Sequence, residues 1–137
     1  MLSGTGGNSG TQASTAVIRA LSLGEVRFSD LFQVLWKEFW VSVCCGLCLA
    51  AANFVKMMLV DRWLLQNPTV TPQVALVVCA TLVGTVLCAK LVGCSLPLLA
   101  KRVGFDPAVM ASPFITTIVD ALSLLIYFRF ASAILGL

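Results

Sequence analysis

Three long apolar runs constrain the fold of this chain more than any other feature of its sequence. They extend from Phe39 to Val60, from Val74 to Ala100 and from Val109 to Phe128, and each contains a single charged residue. A helix needs about 20 apolar residues to cross the roughly 30 Å hydrocarbon core of a bilayer. Each run is at least that long, so the sequence predicts three membrane-spanning helices in an all-α, polytopic integral membrane domain.

Composition narrows the range of functions. Of the 137 residues 59% are apolar and 11% are charged, against about 25% charged in an average soluble domain. The chain has no histidine, which excludes imidazole acid–base catalysis, Ser/His triads and His-ligated zinc. Its net charge of +3 is too small for a protein that follows nucleic-acid phosphates. We therefore expect a membrane protein that is neither an enzyme nor a nucleic-acid binder.

The cysteines do not form a recognisable metal or disulfide pattern. All six fall inside apolar runs, where thiols behave as small hydrophobic groups. Cys45 and Cys48 form a CxxC motif, but no second pair stands at metal-site spacing. The sequence predicts lipid-facing or packing roles for these thiols and no disulfides.

The N-terminal region is the least apolar part of the chain. Thr11 to Leu23 would form about 20 Å of helix, too short to cross a bilayer, so we expect the C-terminal half of a transmembrane helix, with an interfacial tail as the alternative. The glycine-rich stretch from Gly4 to Gly10 has the composition of a flexible tail or linker. Its alternative is a broken helix at membrane depth, where glycine permits close approach to an ion or another helix.

The segment from Ser29 to Trp40 has the pattern of an interfacial helix. Ser29 or Asp30 could cap it, and Trp36 and Trp40 suit the membrane surface. We expect this segment to lie along the membrane before the chain turns inward.

Basic residues predict the orientation of the spans. Five of them lie before the first run or between the second and third runs: Arg19, Arg27, Lys37, Lys101 and Arg102. The positive-inside rule places these segments in the cytoplasm and the loop after the first span outside.

Asp120 is the residue most indicative of function. It lies near the middle of the third run, where a carboxylate costs roughly 2.5 to 3.5 kcal/mol. Thr116 and Thr117 precede it at helical spacing, and Pro113 would deprive carbonyl groups near Val109 of helical partners. Such a stripe of oxygen atoms suits a hard cation such as Mg²⁺ or Ca²⁺.

Two further possibilities follow from the residues around Asp120. The carboxyl group could be protonated or paired with Lys90 of the neighbouring span, with the threonines bonded to their own helix. Alternatively, a two-fold dimer would bring a second Asp120 across its axis and complete a cation site. The residues alone leave this choice open.

Two blocks of sequence resemble the membrane domain of the MgtE family of magnesium channels or transporters. The first comprises Gly6 to Gln12, followed by Arg19 to Glu25, and is similar to that family's second transmembrane helix and its cytoplasmic exit. The second comprises Phe105 to Ala108, followed by Ser112 to Asp120, and is similar to the start of its fifth and last helix. The resemblance extends in order and spacing over residues 1–137, with the three full spans matching helices three to five.

The resemblance implies a function and a set of site residues. It implies a homodimer in the cell (plasma or inner) membrane with a pore along the two-fold axis, between the second and fifth helices of both copies. In that picture Asp120 holds a largely hydrated Mg²⁺, Thr116 and Thr117 line the pore, and Asn8 lies on the facing helix. Mg²⁺ and the lipid bilayer would be the partners, and Mn²⁺, Co²⁺ and Ca²⁺ remain open as transported ions.

This chain also departs from the family pattern. Thr11 stands where the family has asparagine. We expect a partial membrane domain in which the first helix and any cytoplasmic regulatory region are absent. Two other functions stay open: a proton-coupled secondary transporter with Asp120 as the relay, and a membrane scaffold that transports nothing.

Overall fold

The computed structural model describes residues 2–64, 66, 68, 71–110 and 112–135. Across these ranges the chain is helical and contains no strand, which confirms the all-α prediction. Its four α-helices are α1 (Leu2–Ser22), α2 (Leu31–Lys56), α3 (Pro72–Val103) and α4 (Ser112–Leu135). Short 3₁₀ helices precede α2 and α4, at Phe28–Asp30 and Pro107–Met110, and a π-helical segment extends α2 over Met57–Leu64.

Helix α3 is the centre of the fold and packs against α1, α2 and α4. It begins where the Thr71 side chain accepts a hydrogen bond from the Val74 N–H, with Pro72 in the first turn, an arrangement favoured at helix N-termini. It passes through Pro97 and ends at Gly104, whose φ of 90° is the left-handed conformation common after helices. Its central position explains why it is the most extensively buried of the spans.

Among the residues that the structure describes, three helical segments are long and apolar enough to cross a membrane: Phe28–Leu64, Pro72–Val103 and Pro113–Ile134. The first two contain the corresponding predicted runs and the third contains most of its run, so the prediction of three spans is confirmed. The predicted boundaries of the third span were wrong. Val109 belongs to the preceding 3₁₀ helix and α4 begins at Ser112, because Pro113 has no N–H and fits the first turn of a helix better than its interior.

The segment from Ser29 to Trp40 was predicted to lie along the membrane surface, but it forms the first part of one long helical segment that continues through α2. The chain does not turn after Trp40: one helical segment of 37 residues runs from Phe28 to Leu64, about 55 Å at 1.5 Å per residue and longer than the hydrocarbon core. Asp30 makes no capping hydrogen bond to α2, since its carboxylate accepts from the Arg27 N–H at 2.9 Å and closes the 3₁₀ turn instead. The exposed rings of Trp36 and Trp40 contact each other edge to face on this extension.

Helix α1 is longer than the sequence predicted. It begins at Leu2, not near Thr11, and the glycine-rich stretch is neither a flexible tail nor a broken helix but part of a continuous 21-residue helix. The reason is packing: a Cβ atom at Gly93 of α3 would overlap the carbonyl oxygen of Gly10, so the backbones of α1 and α3 touch at this point. Such contacts stabilise a helix that glycine alone disfavours.

Beyond the contact at Gly10, the C-terminal half of α1, which is its predicted cytoplasmic end, packs against α3 through apolar side chains. Ala13, Val17 and Leu21 of α1 form a buried cluster with Cys94 and Leu98 of α3. The opposite face of α1 exposes polar side chains, among them Asn8, Gln12 and Thr15. Helix α1 is therefore apolar toward the core of the fold and polar on its open side.

Cysteine side chains are divided between the surface and the interior. All six are free thiols; Cys44, Cys45 and Cys48 are exposed on α2, whereas Cys79 and Cys94 are buried in α3. No group of three or more His, Cys, Asp or Glu residues that could hold a metal ion occurs among the residues described. The CxxC motif thus lies on the outer surface of the helix bundle.

The contact between α1 and α3 leads to a stability prediction. The substitution Gly93→Ala should lower the free energy of unfolding by about 1–3 kcal/mol, the usual cost of overpacking, because the new methyl group meets backbone that cannot rotate away. Gly4→Ala is the control, since a Cβ atom there has no neighbour within 4 Å. It should be neutral or stabilising by up to about 1 kcal/mol through helix propensity. Unfolding in mixed detergent micelles measures both, and equal effects would contradict this account of α1.

Candidate ion-binding site

Helix α1 packs against α4 through its glycine face. A Cβ atom at Gly10 would lie 3.0 Å from Cγ2 of Ile115, and one at Gly6 would lie 2.9 Å from Cγ1 of Val119. The earlier residue of α1 meets the later residue of α4, so the two helices are antiparallel. This packing fixes which residues of α4 stand beside α1.

Gly7 lies between these two contacts and faces the predicted site. A Cβ atom at Gly7 would be 3.1 Å from Cγ2 of Thr116 and 4.0 Å from Oδ1 of Asp120. Asp120 and Thr116 are both partly exposed. The structure therefore brings Asp120 and Thr116 together against the backbone of α1, with the carboxylate at the edge of the helix contact.

The Asp120 carboxylate is not neutralised within the described part of the chain: no lysine or arginine forms an ion pair with it there. It stands eight residues after Ser112, the first residue of α4, or about 12 Å along a helix of roughly 36 Å. Asp120 therefore lies nearer the predicted cytoplasmic end of α4 than the mid-membrane position that the sequence predicted. An unpaired carboxylate at this depth needs water, a proton or a cation to offset its cost.

The carbonyl groups near Pro113 are not freed in the way that the sequence predicted. Since Pro113 is in the first turn of α4, its ring disrupts no helix. Its own carbonyl oxygen accepts hydrogen bonds from the hydroxyl groups of Thr116, at 3.0 Å, and Thr117, at 2.9 Å. The threonines thus bond to their own helix. Because each hydroxyl proton is directed at Pro113, each hydroxyl oxygen can act toward any further partner only as an acceptor.

The remaining predicted residue, Asn8, lies on the open side of α1. Its side chain is exposed and follows Gly7 in the helix, about 100° further around the axis. Thr117 is likewise exposed. Asn8 and Thr117 are therefore both exposed, one on each of the two helices that meet beside the carboxylate.

Lys90 does not pair with Asp120. Its Nζ atom lies 3.4 Å from Oε2 of Glu38 on α2, and both side chains are largely buried, with exposed fractions of 13% and 21%. The alternative prediction that Lys90 pairs with Asp120 is therefore wrong. Lys90 follows Ala89, which faces α1, so helical geometry directs its side chain toward α2 instead.

Two residues of this region could not be identified from the sequence. Gly7 was part of a motif but not a predicted neighbour of Asp120, and Glu38 was not predicted to pair with Lys90. The available signal for the ion pair was one acidic residue directly before the first apolar run and one basic residue inside the second. The pairing itself depends on the rotation of α2 against α3, which no single sequence specifies.

A comparison with protein families identifies the chain. A family model described as a divalent cation transporter, MgtE, matches residues 1–130. The chain belongs to the MgtE family. Members of this family are membrane transporters, in agreement with the three spans and with the predicted resemblance.

Curated relatives extend this finding. A magnesium transporter MgtE of Thermus thermophilus is 38% identical over 98% of this chain. Proteins of the same name from Enterococcus faecalis and Bacillus subtilis are 32% and 34% identical over 96% and 97% of it. The chain spans 27 to 28% of the length of these MgtE relatives.

The ion pair between α2 and α3 leads to a prediction about coupling. In a double-mutant cycle, Glu38→Gln and Lys90→Met should show an interaction energy of about 0.5–3 kcal/mol, the range for residues in contact. Each single change leaves a largely buried charge without its partner, whereas the double change removes both charges. The free energies of unfolding in mixed micelles give the coupling.

A second cycle, of Lys90→Met with Asp120→Asn, is the control for this prediction. Because these residues do not pair, their effects should add to within about 0.5 kcal/mol. Strong coupling between Lys90 and Asp120, with none between Lys90 and Glu38, would contradict the helix arrangement described above.

Proposed function

We propose that this chain forms part of a transmembrane path for Mg²⁺ in which the Asp120 carboxylate contacts a hydrated ion. The observation that supports this most strongly is the carboxylate itself: a partly exposed acid on a membrane-spanning helix, beside a polar face of α1 and without a cationic partner in the described ranges. The magnesium transporters to which the chain is similar supply the identity of the ion.

The chemistry of the ion explains why one carboxylate per chain could be enough. Mg²⁺ binds waters at 2.0–2.1 Å and releases them reluctantly, so protein sites commonly contact it through one or two carboxylates. The hydroxyl oxygens of Thr116 and Thr117 are suited to accept hydrogen bonds from those waters, and the Asn8 amide is suited to accept or donate. Such an outer-sphere contact is weak enough for the ion to leave, which conduction requires.

A homodimer would complete this path. A two-fold axis beside the open face of α1 and α4 would bring a second Asp120 opposite the first, so that one ion lies between two carboxylates. The exposed Asn8, Gln12 and Thr15 of α1 would then face the same water-filled space. Polar side chains on a transmembrane helix commonly face a cavity or another helix and not lipid.

The proposed path belongs to a membrane domain of which this chain, residues 1–137, is a part. We place it in the plasma or inner membrane as a multi-pass protein, with the loops that carry Arg27 and Arg102 in the cytoplasm. Arg102 lies with its guanidinium 4.4 Å from the centre of the Phe28 ring, and Lys101 donates to the carbonyl of Leu21. These contacts join the last turn of α3 to the end of α1 and to the 3₁₀ helix before α2.

Substitution of Asp120 tests the proposed function. In the intact protein that carries this chain, reconstituted in vesicles, Asp120→Asn should lower Mg²⁺ flux by more than about tenfold, equivalent to 1.4 kcal/mol, because the amide keeps the size of the side chain but not its charge. The fold should remain intact, as judged by size-exclusion chromatography in detergent.

Asp61→Asn is the matched control for this flux measurement. Asp61 forms an ion pair with Lys56 at 2.8 Å on the π-helical extension of α2, away from α1 and α4. Loss of this ion pair should leave Mg²⁺ flux unchanged. Normal flux in folded Asp120→Asn protein would overturn the proposal.

Mixed subunits test the dimer. If two Asp120 side chains share one ion, equal amounts of wild-type and Asp120→Asn chains that assemble at random should give about one quarter of wild-type flux, since only wild-type pairs conduct. Independent subunits would give half, and a pore that needs a single acid would give three quarters. Either of the two larger values would contradict the shared site.

A further inference from the structure

One cationic side chain near the start of α2 has no part in the site described above. Lys37 is exposed, and within the described part of the chain no carboxylate forms an ion pair with it. The acidic residue that follows it, Glu38, is paired with Lys90 of α3. The positive charge of Lys37 is therefore not neutralised by its neighbour in sequence.

Lys37 lies at the depth of lipid headgroups. The apolar run of the first span begins two residues later, at Phe39, and as a helix residues 39–60 measure about 33 Å, close to the roughly 30 Å hydrocarbon core. Because the helix is continuous from Phe28 to Leu64, Lys37 stands just outside that core, on the predicted cytoplasmic side. The cytoplasmic leaflet of a membrane carries anionic lipids.

The side chains around Lys37 are rich in hydrogen-bond donors. Residues three and four apart are neighbours on a helix, so Gln33 and Trp40 lie beside Lys37, and Trp36 precedes it. All three are exposed, and the rings of Trp36 and Trp40 meet edge to face with their centroids 6.1 Å apart. An ammonium, an amide and two indole N–H groups can donate to phosphate oxygens. Among these four side chains the single strong acceptor is the Gln33 amide oxygen.

Toward the middle of the span the same face of α2 becomes apolar. Val41, Cys44, Cys45 and Cys48 follow Lys37 and Trp40 at steps of three and four residues, and all four are exposed. The face therefore has a cationic, donor-rich end at headgroup depth and an apolar part at the depth of acyl chains.

From this arrangement we infer that the exposed face of α2 over residues 33–48 binds an anionic glycerophospholipid, with its phosphate on Lys37 and its acyl chains along Val41 and the cysteines. A zwitterionic headgroup carries its own cation beside the phosphate, and Lys37 repels that cation. The face thus favours a lipid of net negative charge. Asp120 has no part in this binding, so the inference goes beyond the proposed ion path and is independent of it.

Photoactivatable lipids test this site in the intact protein that carries the chain. The protein is reconstituted in vesicles of equal amounts of phosphatidylglycerol and phosphatidylcholine, and in each sample one of the two lipids carries the reactive group on an acyl chain. Mass spectrometry of peptides then measures the labelling of residues 41–48. The ratio of phosphatidylglycerol to phosphatidylcholine labelling should be about fivefold higher in wild-type protein than in Lys37→Gln, the effect of one basic residue near an anionic lipid.

Two further variants separate the charge of Lys37 from its shape and its position. Lys37→Arg keeps the positive charge and should keep the wild-type ratio. Lys56→Gln is the matched control, since it removes the same ammonium group at the other end of α2, where Lys56 is paired with Asp61 at 2.8 Å. It should leave the ratio at residues 41–48 unchanged.

Three results would overturn the inference: a ratio near one in wild-type protein, an unchanged ratio in folded Lys37→Gln protein, or an equal fall in Lys37→Arg. The first would mean that another part of the intact protein covers this face or that the face does not distinguish the lipids. None of these results bears on Mg²⁺ flux in Asp120→Asn, so failure of the lipid site and failure of the proposed function are distinguishable.

Discussion

The fold depends on one steric contact, the approach of the α1 backbone to the α3 backbone at Gly10 and Gly93. A single added Cβ atom at Gly93 would overlap the carbonyl oxygen of Gly10. This contact fixes the rotation of α1, which places one glycine face against α3 and α4 and leaves the polar face open. The position of Gly7 beside Asp120 follows from that rotation.

The same arrangement separates the charged groups of the spans. Lys90 points from α3 toward α2 and is neutralised by Glu38, whereas Asp120 lies on the other side of the bundle, at the edge of α1 and α4. A cation bound near Asp120 would not compete with the Lys90 ammonium for the carboxylate. The charge that stabilises the helix bundle and the charge proposed to bind the ion are therefore distinct.

The three spans could be predicted from the sequence because the apolar runs that form them are an intrinsic requirement of the bilayer. The start of α1 could not, since Gly4 to Gly10 favour coil in isolation and become helical through contacts with α3 and α4 that lie far away in sequence.

For the candidate site, Asp120, Thr116 and Thr117 could be proposed from the sequence because a carboxylate and hydroxyls at helical spacing are visible in it. The hydrogen bonds to the Pro113 carbonyl, the partner of Lys90 and the position of Gly7 beside Asp120 depend on how helices begin and rotate. Helix ends and rotations are set by tertiary packing: the sequence predicted Pro113 inside a helix, whereas α4 begins one residue before it and the proline ring interrupts no helix.

The central claim is that two Asp120 carboxylates hold one Mg²⁺, and equilibrium binding tests it most directly. Equilibrium dialysis of the intact protein in detergent counts the Mg²⁺ bound per chain, in wild-type protein and in Asp120→Asn protein of the same oligomeric state. The account predicts that the substitution removes one bound ion for every two chains. An unchanged number of bound ions would contradict it.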